Sequence, residues 1–106
     1  MSSVDGQVVV RDNPDEERYE LLAGDSVVGE IQYHHRRSSD RIAFIHTEVS
    51  PEQEGHGHAS TLVAGALDDV RSRGLRVVPI CPFVRTYLQH HPEYEDLVVP
   101  ERRVPQ

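Results

Sequence analysis

Between Val49 and Val63 the chain reads Val-Ser-Pro-Glu-Gln-Glu-Gly-His-Gly-His-Ala-Ser-Thr-Leu-Val, with Gly55, Gly57 and Ala59 at alternate positions just ahead of an amphipathic pattern. Small residues at such a turn let the backbone approach a ligand, and the first N–H groups of a helix have no partner within it. That combination suits an anion. A charge at a helix terminus gains only ~0.3–1 kcal/mol from the dipole, so several convergent N–H bonds must do most of the holding. A pyrophosphate has oxygens enough to use them. The spacing lacks the Lys-Ser/Thr ending of an ATP-binding P-loop and does not follow a first strand, as a dinucleotide fingerprint would. On the pattern alone, the glycines also read as what a tight turn requires. Seven histidines raise a metal site as another chemistry. His56 with His58, His34-His35 and His90-His91 fit neither a helical i, i+4 pair nor a four-ligand finger, and Cys81 alone offers no thiolate cluster. No metal site is read from them.

The turn needs a strand before it and a helix after it, and both are expected. From His58 to Arg73 the apolar residues Ala59, Leu62, Val63, Ala66, Leu67 and Val70 form one helical stripe, closed by Gly74 at a left-handed cap position. Arg41 to Val49 predicts the preceding strand, with Ile42, Phe44, His46 and Glu48 on one face and Ala43, Ile45, Thr47 and Val49 on the other. Apolar residues on both faces suggest a strand covered on each side. Upstream, Val8 to Arg11, Arg18 to Ala23 and Ser26 to Tyr33 read as strands, the last two flanking the turn Gly24-Asp25. Val27, Gly29, Ile31 and Tyr33 should share one face, and His34 to Asp40 reads as a loop. Downstream, Leu75 to Cys81 predicts a short buried strand. Pro82 then opens a second helix from Phe83 to about His90. The order implies an antiparallel meander leading into a parallel, right-handed βαβ unit with two main helices, an α+β or α/β fold.

The 106 residues leave room for a single domain. With 37% hydrophobic and 27% charged residues, they suit a globular chain rather than a disordered one. Eighteen acidic side chains against eleven basic, all arginine, give a charge of −7. This argues against nucleic acid, which wants a concentrated basic surface. It is electrostatically easier with a cationic partner. No apolar run approaches the ~20 residues of a membrane span. The single cysteine excludes an internal disulfide, and the N-terminus lacks the pattern of a secretory signal, so a cytoplasmic protein is expected.

The segment from Ile42 to Val99 contains Ile-Ala-Phe-Ile-His-Thr-Glu-Val, Gly-His-Gly-His-Ala, Val-Val-Pro-Ile-Cys-Pro-Phe-Val and His-Pro-Glu-Tyr-Glu-Asp-Leu-Val-Val. In this combination the chain resembles the small YjdJ-type branch of the GNAT superfamily of N-acetyltransferases. The resemblance implies one N-acetyltransferase-like domain over 1–106, with a core of about 7–99, a short C-terminal tail and a minimal GNAT fold. It implies acetyl-CoA as cosubstrate, with its pantetheine between two splayed parallel strands ending at Val49 and Cys81. Its pyrophosphate would meet Glu54, Gly55, His56, Gly57, His58, Ala59 and Ser60. Gly57 and Ala59 fill the last two places of the family's Arg/Gln-x-x-Gly-x-Gly/Ala pattern, whereas Glu54 stands where Arg or Gln is usual. His56 and His58 would offset that carboxylate if protonated or donating hydrogen bonds.

An amine acceptor with pKa ~10.4 is mostly protonated at neutral pH, so its attack needs a base or a desolvating pocket. The resemblance implies Glu48 as that base, with His46 as a second base or relay, against ordinary roles as a strand-end carboxylate and a histidine satisfied within a sheet. It implies Tyr87 as proton donor to the departing thiolate, against a role anchoring its helix. Cys81 falls near the expected thioester, where it would orient it or accept the acetyl group, against simple packing. The implied reaction is direct acetyl transfer to a primary amine of a small molecule or a basic protein segment. The rival reading is a noncatalytic CoA-binding or protein-interaction module. Asp12 to Glu17 leaves room only for a turn where larger relatives place helices, which implies an open acceptor side. The sequence does not indicate an oligomeric state.

Overall fold

A computed structural model describes residues 8–50 and 57–99. Strands β1 (Val9–Asn13), β2 (Arg18–Ala23), β3 (Ser26–His35) and β4 (Arg41–Val49) precede helix α1 (His58–Ser72). Strand β5 (Arg76–Pro79), helix α2 (Pro82–Gln89) and a 3-10 helix (Pro92–Leu97) follow. The sheet order is β1-β2-β3-β4-β5, antiparallel throughout except for the parallel β4–β5 pair. The expected meander and βαβ unit are therefore present.

Local chemistry accounts for the element ends. Helix α1 closes in a Schellman arrangement: Gly74 has φ 71°, its N–H donates to the Arg71 carbonyl, and the Leu75 N–H donates to the Val70 carbonyl. Pro82 occupies the first turn of α2, where its missing N–H costs nothing. Three boundaries differ from expectation. Strand β1 continues past Arg11 because Asp12 and Asn13 still pair with Tyr19 and Arg18, and the chain turns only where the Glu16 N–H reaches the Asn13 carbonyl. Strand β3 extends past Tyr33, since His34 and His35 pair with Ala43 and Ile42. Strand β5 is shorter than the expected Leu75–Cys81 run. The 3-10 helix was not foreseen, being too short to show a period.

The predicted faces of β3 and β4 need a larger correction. The β2–β3 register shifts between Leu21 and Leu22, so that Leu21 opposes Gly29 while Leu22 opposes Val27, leaving Val28 as an extra residue. The β3–β4 register shifts again, with Tyr33 opposite Phe44 but Gln32 opposite His46, and Ile45 is the extra residue. Each bulge inverts the alternation beyond it. Thus Val27 leaves the face of Ile31 and Tyr33 and is exposed, while Val28 is buried. Ile42 and Phe44 face the core, but His46 and Glu48 do not join them.

The core gathers Tyr19, Leu21, Ile31, Ile42, Phe44, Leu62, Val63, Leu67, Val77 and Val84 with Tyr87 and Tyr94 into one cluster between the sheet and the helices. Helix α1 lies close against β1: a Cβ on Gly65 would come within 2.6 Å of Val10 Cγ2. At the C-terminal end of α1, the Tyr19 hydroxyl donates to Asp69 at 2.6 Å and the Tyr33 hydroxyl to Asp12 at 2.6 Å. Arg73 joins both carboxylates at 3.2 and 3.0 Å. Burial, followed by these carboxylate contacts, raises both tyrosines above their ordinary range, so they remain donors. Tyr94 donates to Asp68 and is pushed up to about 12, chiefly by burial. These ties fix α1 to β1, β2 and β3 and so set where its N-terminus points.

Among the described residues no helix covers the opposite face of the sheet, contrary to the expected cover on both sides. Cross-strand registers lay two polar rows over it, Arg11–Glu20–Glu30–Glu48 and Asn13–Arg18–Gln32–His46. Glu20, only 1% exposed, is roofed by Arg11 at 2.9 Å, Arg18 at 2.8 Å and Asn13 at 3.0 Å. Burial opposes its ionisation, but hydrogen bonds from Asn13, Arg18 and Arg11 outweigh it and hold the carboxyl below its ordinary value. A carboxylate with a lowered folded-state pKa stabilises the fold above its unfolded value, ~4.3, and loses that contribution as pH falls through the folded value. Urea unfolding is therefore expected to show stability declining below about pH 4.3. Glu20→Gln should flatten this decline while lowering neutral-pH stability by about 1–3 kcal/mol.

Candidate active site

Strands β4 and β5 pair only from Arg41↔Arg76 to Phe44↔Pro79. At that point the Phe44 carbonyl accepts both the Ile80 N–H at 3.0 Å and the Cys81 N–H at 2.9 Å, and the chain turns into α2. Among the described residues β4 continues without a partner strand on that side to Val49. This leaves a gap in the described sheet beside Ile45 to Val49, with backbone groups on its β4 wall not paired to β5. Such groups can bind an extended amide-bearing chain.

Cys81 closes the apex of the gap. It is buried, 3% exposed, and its Sγ lies 3.3 Å from Thr47 Oγ1. Thr47 was not a candidate from sequence, because its facing depends on the bulge at Ile45. With the parity inverted there, Thr47 turns to the core side and meets Cys81. Thr47→Val, which removes only the hydroxyl from a similar volume, is expected to lower stability by about 0.5–1.5 kcal/mol, with Thr47→Ser recovering most of it in urea titrations.

Glu48 and His46 stand on the uncovered face, 69% and 56% exposed, with His46 Nε2 3.6 Å from Glu48 Oε1. Their two-residue separation brings them together, as expected, but on the opposite side of the sheet from the Thr47–Cys81 contact. Glu30, the cross-strand neighbour of Glu48, lines the same hollow of about 270 Å³ with Val27, Val49 and Ser50. It too was missed from sequence, since its pairing with Glu48 depends on the same register shift. Val49 lies at the end of β4 opposite Gly29, where a Cβ on Gly29 would press on Val49 Cγ2 at 3.2 Å. This close approach seats α1, through Leu62, directly behind the site.

Tyr87 is nearly buried on α2 and stacks on His91 with ring centroids 3.8 Å apart. Burial, then Glu93 and Asp68, raises its hydroxyl above the ordinary value, so it carries its proton at neutral pH. Among the described residues no hydrogen bond joins it to Glu48 or Cys81. His90 and His91 donate through Nδ1 to the Thr86 and Tyr87 carbonyls at 3.0 and 2.9 Å, satisfying the C-terminal end of α2.

Helix α1 begins at Gly57, which has φ 74° and offers no side-chain cap. The first turn, containing His58, Ala59 and Ser60, has no acidic residue. It lies just beyond the end of β4, as an anion site on the turn requires. Glu54, Gly55 and His56 lie outside the described residues.

A family model described as GCN5-related N-acetyl-transferase matches residues 18–97 of this chain. The fold is similar to the NMR solution structure of a GCN5-like protein from Staphylococcus aureus, with a TM-score of 0.65 and 21% sequence identity over 89% of this chain and 90% of that one.

Proposed function

The chain belongs to the GCN5-related N-acetyltransferase family, and we propose that it moves an acetyl group directly from acetyl-CoA to a primary amine, as a compact member of the YjdJ-type branch. The observation that carries this reading is the end of β4–β5 pairing at Phe44 while β4 runs on to Val49, followed in the chain by helix α1, whose N-cap Gly57 makes no side-chain cap bond. The cosubstrate supplies an activated acetyl thioester. Gly57 to Ser60 would hold its pyrophosphate through helix N–H groups, and the unpaired backbone of Ile45 to Val49 would bind the pantetheine amides. Glu48, directly or through water, takes a proton from the amine as the C–N bond forms, with His46 beside it to share or relay that proton. The C–S bond breaks, and the Tyr87 hydroxyl returns a proton to the departing sulfur. Cys81, held by Thr47, packs the apex and orients the thioester. The open outer face lets the amine approach Glu48.

Calorimetry with acetyl-CoA, together with thiol release across a panel of primary amines, tests the reading. Micromolar or tighter binding with amine-dependent release is expected. Absence of binding overturns acetyl-CoA use, whereas binding without release on any amine transfers the case to a noncatalytic CoA-binding module.

A further inference from the structure

The uncovered sheet face carries two adjoining hollows, about 270 and 340 Å³, that share Glu30 as a common wall. One reaches Val27, Glu48 and Ser50, and the other reaches Glu16, Glu17 and Ile45. Together they form one trough along β3. Its carboxylates are Glu16, Glu17, Glu30 and Glu48, and among the described residues that line it the one arginine is Arg18. That guanidinium is already engaged by Glu20 at 2.8 Å and Glu30 at 3.0 Å. Glu17 and Glu48 have no arginine ion pair among the described residues, only histidines, His34 at 3.9 Å and His46 at 3.6 Å, while Glu16 interacts with Arg18 through space without a close ion pair. Ile45, pushed outward by the bulge and 43% exposed, gives the trough an apolar floor.

We propose that this trough docks an extended basic peptide, and that, resting on the acetyl-transfer reading above, a lysine of that peptide is the acceptor presented to Glu48. From Val27 to Tyr33, β3 advances roughly 20 Å at ~3.4 Å per residue, a length that seats about six extended residues. A lone amine would fill only the Glu48 end. Basic residues flanking the lysine meet Glu30 in the middle and Glu16 and Glu17 at the far end, while an aliphatic stem rests on Ile45. The short β1–β2 turn leaves the trough open at that end, so a segment of a larger protein can enter it.

The test is binding without cosubstrate, so that its outcome is separate from that of acetyl transfer. The probes are a blocked six-residue peptide with one lysine flanked by arginines, the same peptide with glutamates in place of the arginines, and spermidine. Fluorescence anisotropy is expected to give the basic peptide at least about tenfold tighter binding than the acidic one. The doubly substituted Glu16→Arg, Glu17→Arg chain should lose about tenfold, each tenfold step being about 1.4 kcal/mol. Ile45→Ser should weaken binding as well, and added salt should weaken it further. Equal affinity for the two peptides, or unchanged affinity in both variants, overturns the proposal. Spermidine binding as tightly as the basic peptide identifies a small polyamine site instead. A concentration-dependent dimer in sedimentation that Ile45→Ser abolishes identifies the face as a contact between copies of this chain.

Discussion

Glu48→Gln is expected to lower amine acetylation by about 10²–10⁴-fold while leaving acetyl-CoA affinity unchanged. The carboxamide occupies nearly the same volume but cannot take the amine's proton. Glu48 is 69% exposed and points away from the Thr47–Cys81 contact, so neither the core nor the gap should respond to the change. Thiol release under saturating acetyl-CoA gives the rate, and calorimetry on the same variant gives the affinity. An unchanged rate would remove Glu48 from the chemistry and leave desolvation of the amine to do its work. A rate drop accompanied by lost acetyl-CoA affinity would instead mark the residue as part of the cosubstrate's seat.

Phe44→Ala should cost about 3–5 kcal/mol, a large share of the ~5–15 kcal/mol that holds a domain of this size. Phe44 is fully buried and meets Tyr19 edge-on, with ring centroids 5.9 Å apart. Its carbonyl accepts the two N–H groups at which β5 leaves β4. Removing the ring empties the core under that fork, so thermal unfolding should shift down by on the order of 15 °C. Ile45→Ala is the neighbouring control. Its side chain is 43% exposed, and its effect should stay within about 0.5 kcal/mol. Equal losses from the two variants would contradict the inward and outward placement of these adjacent residues.

The contrast between Phe44 and Ile45 shows where sequence reasoning succeeds. Features set by neighbouring residues were legible: the stripe from Ala59 to Val70, the Gly74 cap, the turn at Gly24-Asp25 and Pro82 at the start of α2. The place of Glu48 one residue from the strand end was legible too, but its facing was not. Two-residue alternation carries no mark of an extra residue, and both bulged positions, Val28 and Ile45, are apolar like Val27 and Phe44 just before them. The expected grouping of His46 and Glu48 with Ile42 and Phe44 therefore failed halfway along β4. Thr47 was missed for the same reason. Its nearness to Cys81 spans 34 positions and depends on β4–β5 pairing as well as on the bulge. The buried Glu20 cluster was equally hidden, because its partners converge from β1 and β2 in a way that only the cross-strand register reveals.

The setting aside of Ile45 from the ladder makes the bulge itself the determinant of which side of the sheet Glu48 serves. Deleting Ile45 would remove only the unpaired residue: Tyr33 would still oppose Phe44 and Gln32 would still oppose His46, so alternation would become regular with Thr47 inward and Glu48 outward as before. Drawing Ile45 into the ladder with the chain length unchanged would instead turn Glu48 toward the core and Thr47 to solvent. Among descendants of this chain, a gap at Ile45 should therefore leave Glu48 on the same face.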